Sequence, residues 1–91
     1  MSAQNTEPTT ACFTVTAQAA PGVLPRVLEY FVKRGLVPDH FESRRGDAAL
    51  TVDIRMQDMD PETARYIGRC INQIFEVERV LVSEKRYADV A

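Results

Sequence analysis

The strongest constraint on this chain is the order in which its apolar residues change period. From Cys12 to Ala17 they alternate, with Phe13, Val15 and Ala17 on one face and Cys12, Thr14 and Thr16 on the other, as in a strand with one buried face. After the breaker Ala19-Ala20-Pro21-Gly22, residues Leu24, Val27, Leu28 and Phe31 fall at i, i+3, i+4 and i+7, the stripe of an amphipathic helix. Alternation returns in Leu50, Val52, Ile54 and Met56, helical spacing returns in Ala64, Ile67, Ile71 and Ile74, and Val80-Leu81-Val82 marks a last strand. The order strand, helix, strand, strand, helix, strand leaves few packings. Right-handed crossovers put both helices on one side of a single antiparallel sheet.

Local signals support the same reading. Pro25 sits in the first helical turn, where its missing N–H has no partner to lose, and Gly35 follows Lys33-Arg34 as a left-handed cap with Leu36 beyond it. A hairpin is expected from Val37 to Arg44, the turn Arg45-Gly46-Asp47, and Ala48 to Met56. Pro38, Asp39, Glu42 and Arg44 mark its first arm as an edge strand. Asp60-Pro61-Glu62 supplies a capping carboxylate, a proline at the first helical position and a first-turn acid, opening a helix that runs to about Phe75. The last strand is expected from Val77 to Lys85, with Val80 and Val82 inward. The fold class is therefore α+β, a ferredoxin-like βαββαβ sandwich: a four-stranded antiparallel sheet, first and third strands central, with two helices on one face. Residues 1–10 read as a flexible tail, 11–88 as the domain and 89–91 as a C-terminal tail.

Ninety-one residues have room for one core, and domains of this size commonly gain stability by association, so a homodimer is expected. Thirteen acids against eleven bases give a net charge of -2, with no run of like charges longer than Arg44-Arg45, which argues against nucleic acid. No stretch approaches the ~18 apolar residues of a membrane span, and MSAQNTEPTT lacks the parts of a signal peptide, so the reading is cytoplasmic with no membrane partner. Cys12 and Cys70 lie on different elements without Cys-x-x-Cys spacing and read as reduced, small apolar side chains.

Topology alone does not decide function. RNA recognition needs aromatics on both central strands, and Ala48 to Met56 has none. A metal carrier needs a cysteine pair after the first strand, where this chain has Gln18-Ala19-Ala20-Pro21-Gly22. An acylphosphatase-like enzyme needs an amide on the central hairpin to orient water, and no Asn or Gln lies between Ala48 and Met56, although Arg26 loosely imitates a phosphate ligand. The single histidine, His40, falls on the edge strand and reads as a solvent or interface residue. The expectation is a chain with no catalytic residues, metal or cofactor.

Pro21-Gly22-Val23-Leu24 with Arg26-Val27-Leu28, followed by Arg34-Gly35-Leu36, resembles the ACT domain, a family of small-molecule-sensing regulatory modules in which a Pro-Gly-x-Leu type of turn opens the first helix. The resemblance covers roughly Ala11 to Ala88. Within that family, Arg26-Val27-Leu28, Lys33-Arg34-Gly35 and Asn72-Gln73-Ile74 ahead of Val77 look most similar to the small regulatory subunits of acetolactate synthase, an enzyme of branched-chain amino-acid synthesis. The resemblance implies a non-catalytic subunit that pairs with a larger catalytic chain and takes an amino-acid ligand. That ligand would sit between Ala20, Pro21, Gly22, Val23 and Leu24 of one subunit and Val37, Pro38 and Asp39 at the start of the second strand of its dimer mate. Glycine admits a close backbone approach and the amides of a helix start can hold a carboxylate.

Sensing subunits of the group carry an amide or acid in the turn and an asparagine at the second strand, where this chain has Ala19, Ala20 and Val37. The grip on an effector is reduced to backbone donors near Gly22 and Val23, with Asp39 for an ammonium group. Assembly of a catalytic partner therefore stands beside weak effector binding. A stand-alone metabolite sensor and a pure protein-interaction module of the same fold are the alternatives.

Overall fold

The computed structural model describes residues 9–86 as β1 (Thr9–Ala17), α1 (Val23–Val32), β2 (His40–Arg45), β3 (Leu50–Gln57), α2 (Pro61–Asn72) and β4 (Val77–Arg86). The four strands form one antiparallel sheet in the order β2-β3-β1-β4, with β1 and β3 central as the periodicity predicts. Register follows the alternation. Phe13 lies between Ile54 and Val82, and Val15 between Val52 and Val80, so one face of the sheet carries continuous apolar rows. Both helices bury their stripes on that face. Ile67 and Ile71 of α2 and Val27 and Phe31 of α1 are fully buried, and the Phe31 ring meets the Phe13 ring edge-on at 5.4 Å. Burying each such side chain contributes about 1.5–3 kcal/mol before entropy is counted.

The stripe of α1 is rotated slightly from its expected position. Val23, Val27 and Phe31 are buried, while Leu24 and Leu28 are half-buried on its flank. Its C-terminal end matches expectation: Gly35 takes φ 69°, its N–H donates to the Val32 carbonyl at 2.9 Å, and the Leu36 N–H donates to the Phe31 carbonyl at 2.9 Å. These two bonds satisfy carbonyls that the last turn leaves free.

α2 begins as the sequence indicates. The Asp60 carboxylate accepts from the Thr63 N–H at 3.0 Å, and Pro61 takes the first position. Asp60→Ala should cost about 1 kcal/mol and lower the melting midpoint by roughly 4–8 °C, with Asp60→Asn nearly neutral, as read by calorimetry. The helix stops at Asn72, short of Phe75, because the N–H groups of Gln73 and Ile74 bond three residues back, to Cys70 and Ile71, tightening the last turn.

Several strand boundaries differ from the sequence reading. β2 starts at His40, so Val37, Pro38 and Asp39 precede it. Pro38 has no N–H to give, the first bond is Asp39 N–H to the Arg55 carbonyl at 2.9 Å, and Val37 stays 81% exposed. The hairpin turn is wider than expected, closed by Gly46 N–H on the Ala49 carbonyl at 2.8 Å, so Arg45 joins β2 and β3 begins at Leu50. β1 begins at Thr9, two residues inside the expected tail, held by pairing with Arg86 and by Asp58 N–H on its carbonyl at 2.9 Å. The remainder of that tail, residues 1–8, and residues 87–91, which hold the expected end of the domain at 88 and the C-terminal tail 89–91, lie outside the described residues. Among the described residues no helix is long and apolar enough to cross a membrane.

Candidate functional site

The turn between β1 and α1 is built from short backbone bonds. Gln18 N–H reaches across to the Glu76 carbonyl at 2.9 Å, Ala20 N–H donates to the Gln18 carbonyl at 2.8 Å, and Val23 N–H donates to the Ala20 carbonyl at 3.2 Å. An ion pair, Arg26 Nη1 to Glu76 Oε1 at 3.3 Å, ties the first turn of α1 to the start of β4. The loops at this end of the sheet are therefore joined to one another.

Gly22 caps α1 at φ -85°, ψ -2°, a backbone conformation open to any L-residue, and a Cβ placed on it would meet nothing within 4 Å. Neither the turn nor the packing of the single chain needs glycine there. The space beside it opens onto a shallow, mostly apolar depression of about 360 Å³ on the outer side of α1, lined by Gly22, Pro25, Arg26, Leu28, Glu29 and Val32. Val32 is 61% exposed.

The position of this depression follows from the helix wheel. Tyr30, Lys33 and Arg34 share a groove with Tyr66 and Cys70 of α2, and α2 itself covers β4 and β1. Leu28 stands on the shoulder of α1 turned away from α2, with Pro25 and Val32 further round on its outer side, nearly opposite the buried stripe. Among the described residues β2 is an open edge of the sheet. Its polar side chains pair locally: His40 Nε2 lies 3.2 Å from Glu42 Oε1, and Arg44 lies 3.8 Å from Glu42 and 3.7 Å from Asp53. Phe41 is half-buried against the core.

The residues singled out in the sequence fall into two separated groups. Gly22 lines the depression and Pro21 is exposed beside it, whereas Ala20 and Leu24 pack against the core and the Val23 side chain is part of it, its amide already bonded. Val37, Pro38 and Asp39 lie beyond the other end of α1, whose ten residues span about 15 Å. The Asp39 carboxylate accepts from the Gln57 N–H at 2.7 Å, so part of its capacity is used within the chain. One chain does not bring the two groups together. Pro25, Arg26, Leu28, Glu29 and Val32, which also line the depression, were not among the site residues expected from sequence. The signal for Pro25, Leu28 and Val32 was a second apolar line on α1 beside the core stripe.

Cys12 and Cys70 are both free and half-buried. Among the described residues no group of three or more His, Cys, Asp or Glu side chains is placed to hold a metal ion.

The ACT domain of GTP pyrophosphokinase from Chlorobium tepidum superposes with a TM-score of 0.70 at 9% identity, covering 81% of this chain and 96% of that one. The C-terminal domain of the MgtC protein from Mycobacterium tuberculosis gives 0.69 at 12% identity, over 98% and 100% of the two chains. A homoserine dehydrogenase from Thiobacillus denitrificans gives 0.65 at 14% identity, over 87% of this chain and 17% of its own. At these identities the likeness is one of fold. No curated protein matches the sequence. The family described as ACT-like domain matches residues 3–88, nearly the whole sequence, and the chain belongs to that family.

Proposed function

We propose that this chain is a non-catalytic regulatory module of an amino-acid biosynthetic enzyme. In this reading it works as a homodimer joined along the β2 edges, and its catalytic partner is the acetolactate synthase to which the sequence resemblance points. The observation that carries the reading is Gly22: a glycine the single chain does not need, beside an apolar depression on the outer side of α1, in a sheet whose β2 edge is unpaired among the described residues. A second copy added at β2 would cover that shoulder and bring its own Val37–Asp39 segment toward the turn of the first. The effector is then a small branched aliphatic amino acid. Pro25, Leu28 and Val32 receive its side chain, and free backbone polar groups of the turn receive its charged end.

Three measurements on one pair of proteins test this. In light scattering the wild type should have the mass of a dimer. Valine, leucine or isoleucine at ~100 times its dissociation constant should add about 2.7 kcal/mol, raising the melting midpoint by roughly 10–20 °C. Adding the chain to acetolactate synthase should change its turnover and its response to that amino acid. Gly22→Ala should leave the unliganded midpoint unchanged or slightly raised, since it restricts only the unfolded chain, and should abolish the ligand shift. A monomer that shows no shift and leaves the synthase unaffected would overturn the proposal. A ligand shift without any effect on the synthase would make the chain a stand-alone sensor.

A further inference from the structure

We propose that the opposite edge of the sheet, β4, is a docking site for an extended acidic segment of a partner protein, which adds to the sheet as a fifth strand alongside α2. This surface is separate from the β2 margin and does not depend on the reading above.

Among the described residues β4 pairs on one side only, with β1, so a row of its backbone N–H and C=O groups faces outward along ten residues, about 33 Å. Edge strands are ordinarily protected by shortness, by proline or by charge. β2 has that protection, being six residues long with Glu42, Arg44 and Arg45 along it. In β4, which is longer and has no proline, the charged residues Glu78, Arg79, Glu84, Lys85 and Arg86 stand toward the ends, and Val80-Leu81-Val82 in the middle carries none, with Leu81 59% exposed.

Above this middle section lies a groove of about 480 Å³ between α2 and β4. Gly68 and the half-buried Val80 and Val82 form its apolar part, and Arg65, Arg69 and Arg79 line it against the single acid Glu78. Among the described residues none of these three arginines makes an ion pair. Arg69 lies 5.9 Å from the centre of the Tyr66 ring, at the outer limit of a cation–π contact, and Arg34 approaches the same ring at 4.8 Å.

The spacing identifies the occupant. Arg65 and Arg69 are four residues apart on a helix, a rise of about 6 Å. Same-face residues of a strand recur every 6.6–6.8 Å or so. Carboxylates at alternate positions of an added strand therefore match the two arginines in turn, while its backbone completes the β4 edge. A phosphate chain could meet the arginines, but it has no donors for the outward carbonyls of β4. An acidic peptide serves both.

The test selects binders to the whole chain from a random peptide library displayed on phage. Enrichment of segments with Asp or Glu at i and i+2 is expected. A synthetic peptide of the enriched sequence should lose at least tenfold in affinity for the Arg65→Glu/Arg69→Glu variant, whose fold is verified by circular dichroism. N-methylation of alternate peptide amides should abolish binding in one phase and be tolerated in the other, because only every second amide of an added strand faces β4. The proposal is overturned by selection that enriches no acidic alternation, by two N-methyl phases that behave alike, by indifference to the arginine reversal, or by a mixed-sequence oligonucleotide that outcompetes every peptide.

Discussion

Phe31→Ala should lower stability by about 3–5 kcal/mol, the largest single effect expected in this chain. The ring is fully buried and meets the ring of Phe13 edge-on, so its loss removes apolar burial and an aromatic pair together and leaves a cavity at the junction of α1 with β1. Helix and sheet meet there through stiff backbones, which cannot close over the gap. For a domain of this size the whole folding free energy is about 5–14 kcal/mol, so the substitution removes a large part of it and should lower the melting midpoint by roughly 15–30 °C. Phe31→Leu, which keeps most of the volume, should cost less than half as much. Urea titrations of the three proteins measure the ranking, and a Phe31→Ala loss below about 1.5 kcal/mol would mean that the α1 layer is not packed as described.

Gly68→Val should destabilise by about 2 kcal/mol, although valine is the better helix former. Gly68 is buried in the middle of α2, and a Cβ built there would stand 2.6 Å from Cγ2 of Val82, closer than real contacts allow. The propensity gain is only a few tenths of a kcal/mol, whereas forcing α2 off β4 disturbs the most extensive helix–strand contact in the domain. On a Val82→Ala background the obstruction is gone, and the same substitution should cost little or nothing. The coupling in this double-mutant cycle, about 1–2 kcal/mol, is the quantity to measure. A penalty that persisted unchanged in Val82→Ala would place its cause elsewhere in the helix.

What was legible in the sequence was what depends on period and on nearest neighbours. Phe13, Val15, Val52 and Ile54 disclose β1 and β3 because a two-sided pleat sorts side chains by parity. Asp60 and Gly35 disclose helix ends because capping is a local transaction between a residue and the three to five beside it. The start of β2 was misplaced because Val37 has an apolar side chain and nothing in its neighbourhood reports that the hydrogen-bond ladder begins only after Pro38. In α1 the stripe was placed one step round the helix, since Leu24 and Leu28 are as apolar as the residues that are buried.

The candidate site was less legible, for a reason of geometry. Gly22 stood out as a turn residue, but that its glycine is unneeded by the turn can be seen only from a backbone angle and the empty space beside it. Pro25 and Val32 acquire meaning only when α2 is known to lie on the other flank of α1. The arginines were read as scattered charge. Arg65, Arg69 and Arg79 converge on one groove because α2 lies beside β4, and no count along the chain shows that.

The pairing of Thr9 with Arg86 also bears on how the protein is made. The first strand to leave the ribosome has the last one as its neighbour, so the sheet stays half-built and β1 keeps one naked flank until nearly the whole domain has emerged. Apolar side chains of β1 and α1 must wait that long for cover. Ligation of the two strand ends by a short peptide, with new termini cut in the Gly46–Ala49 turn, would change the order of arrival: β4 and β1 would be synthesised back to back and could pair as a hairpin before α1 emerged.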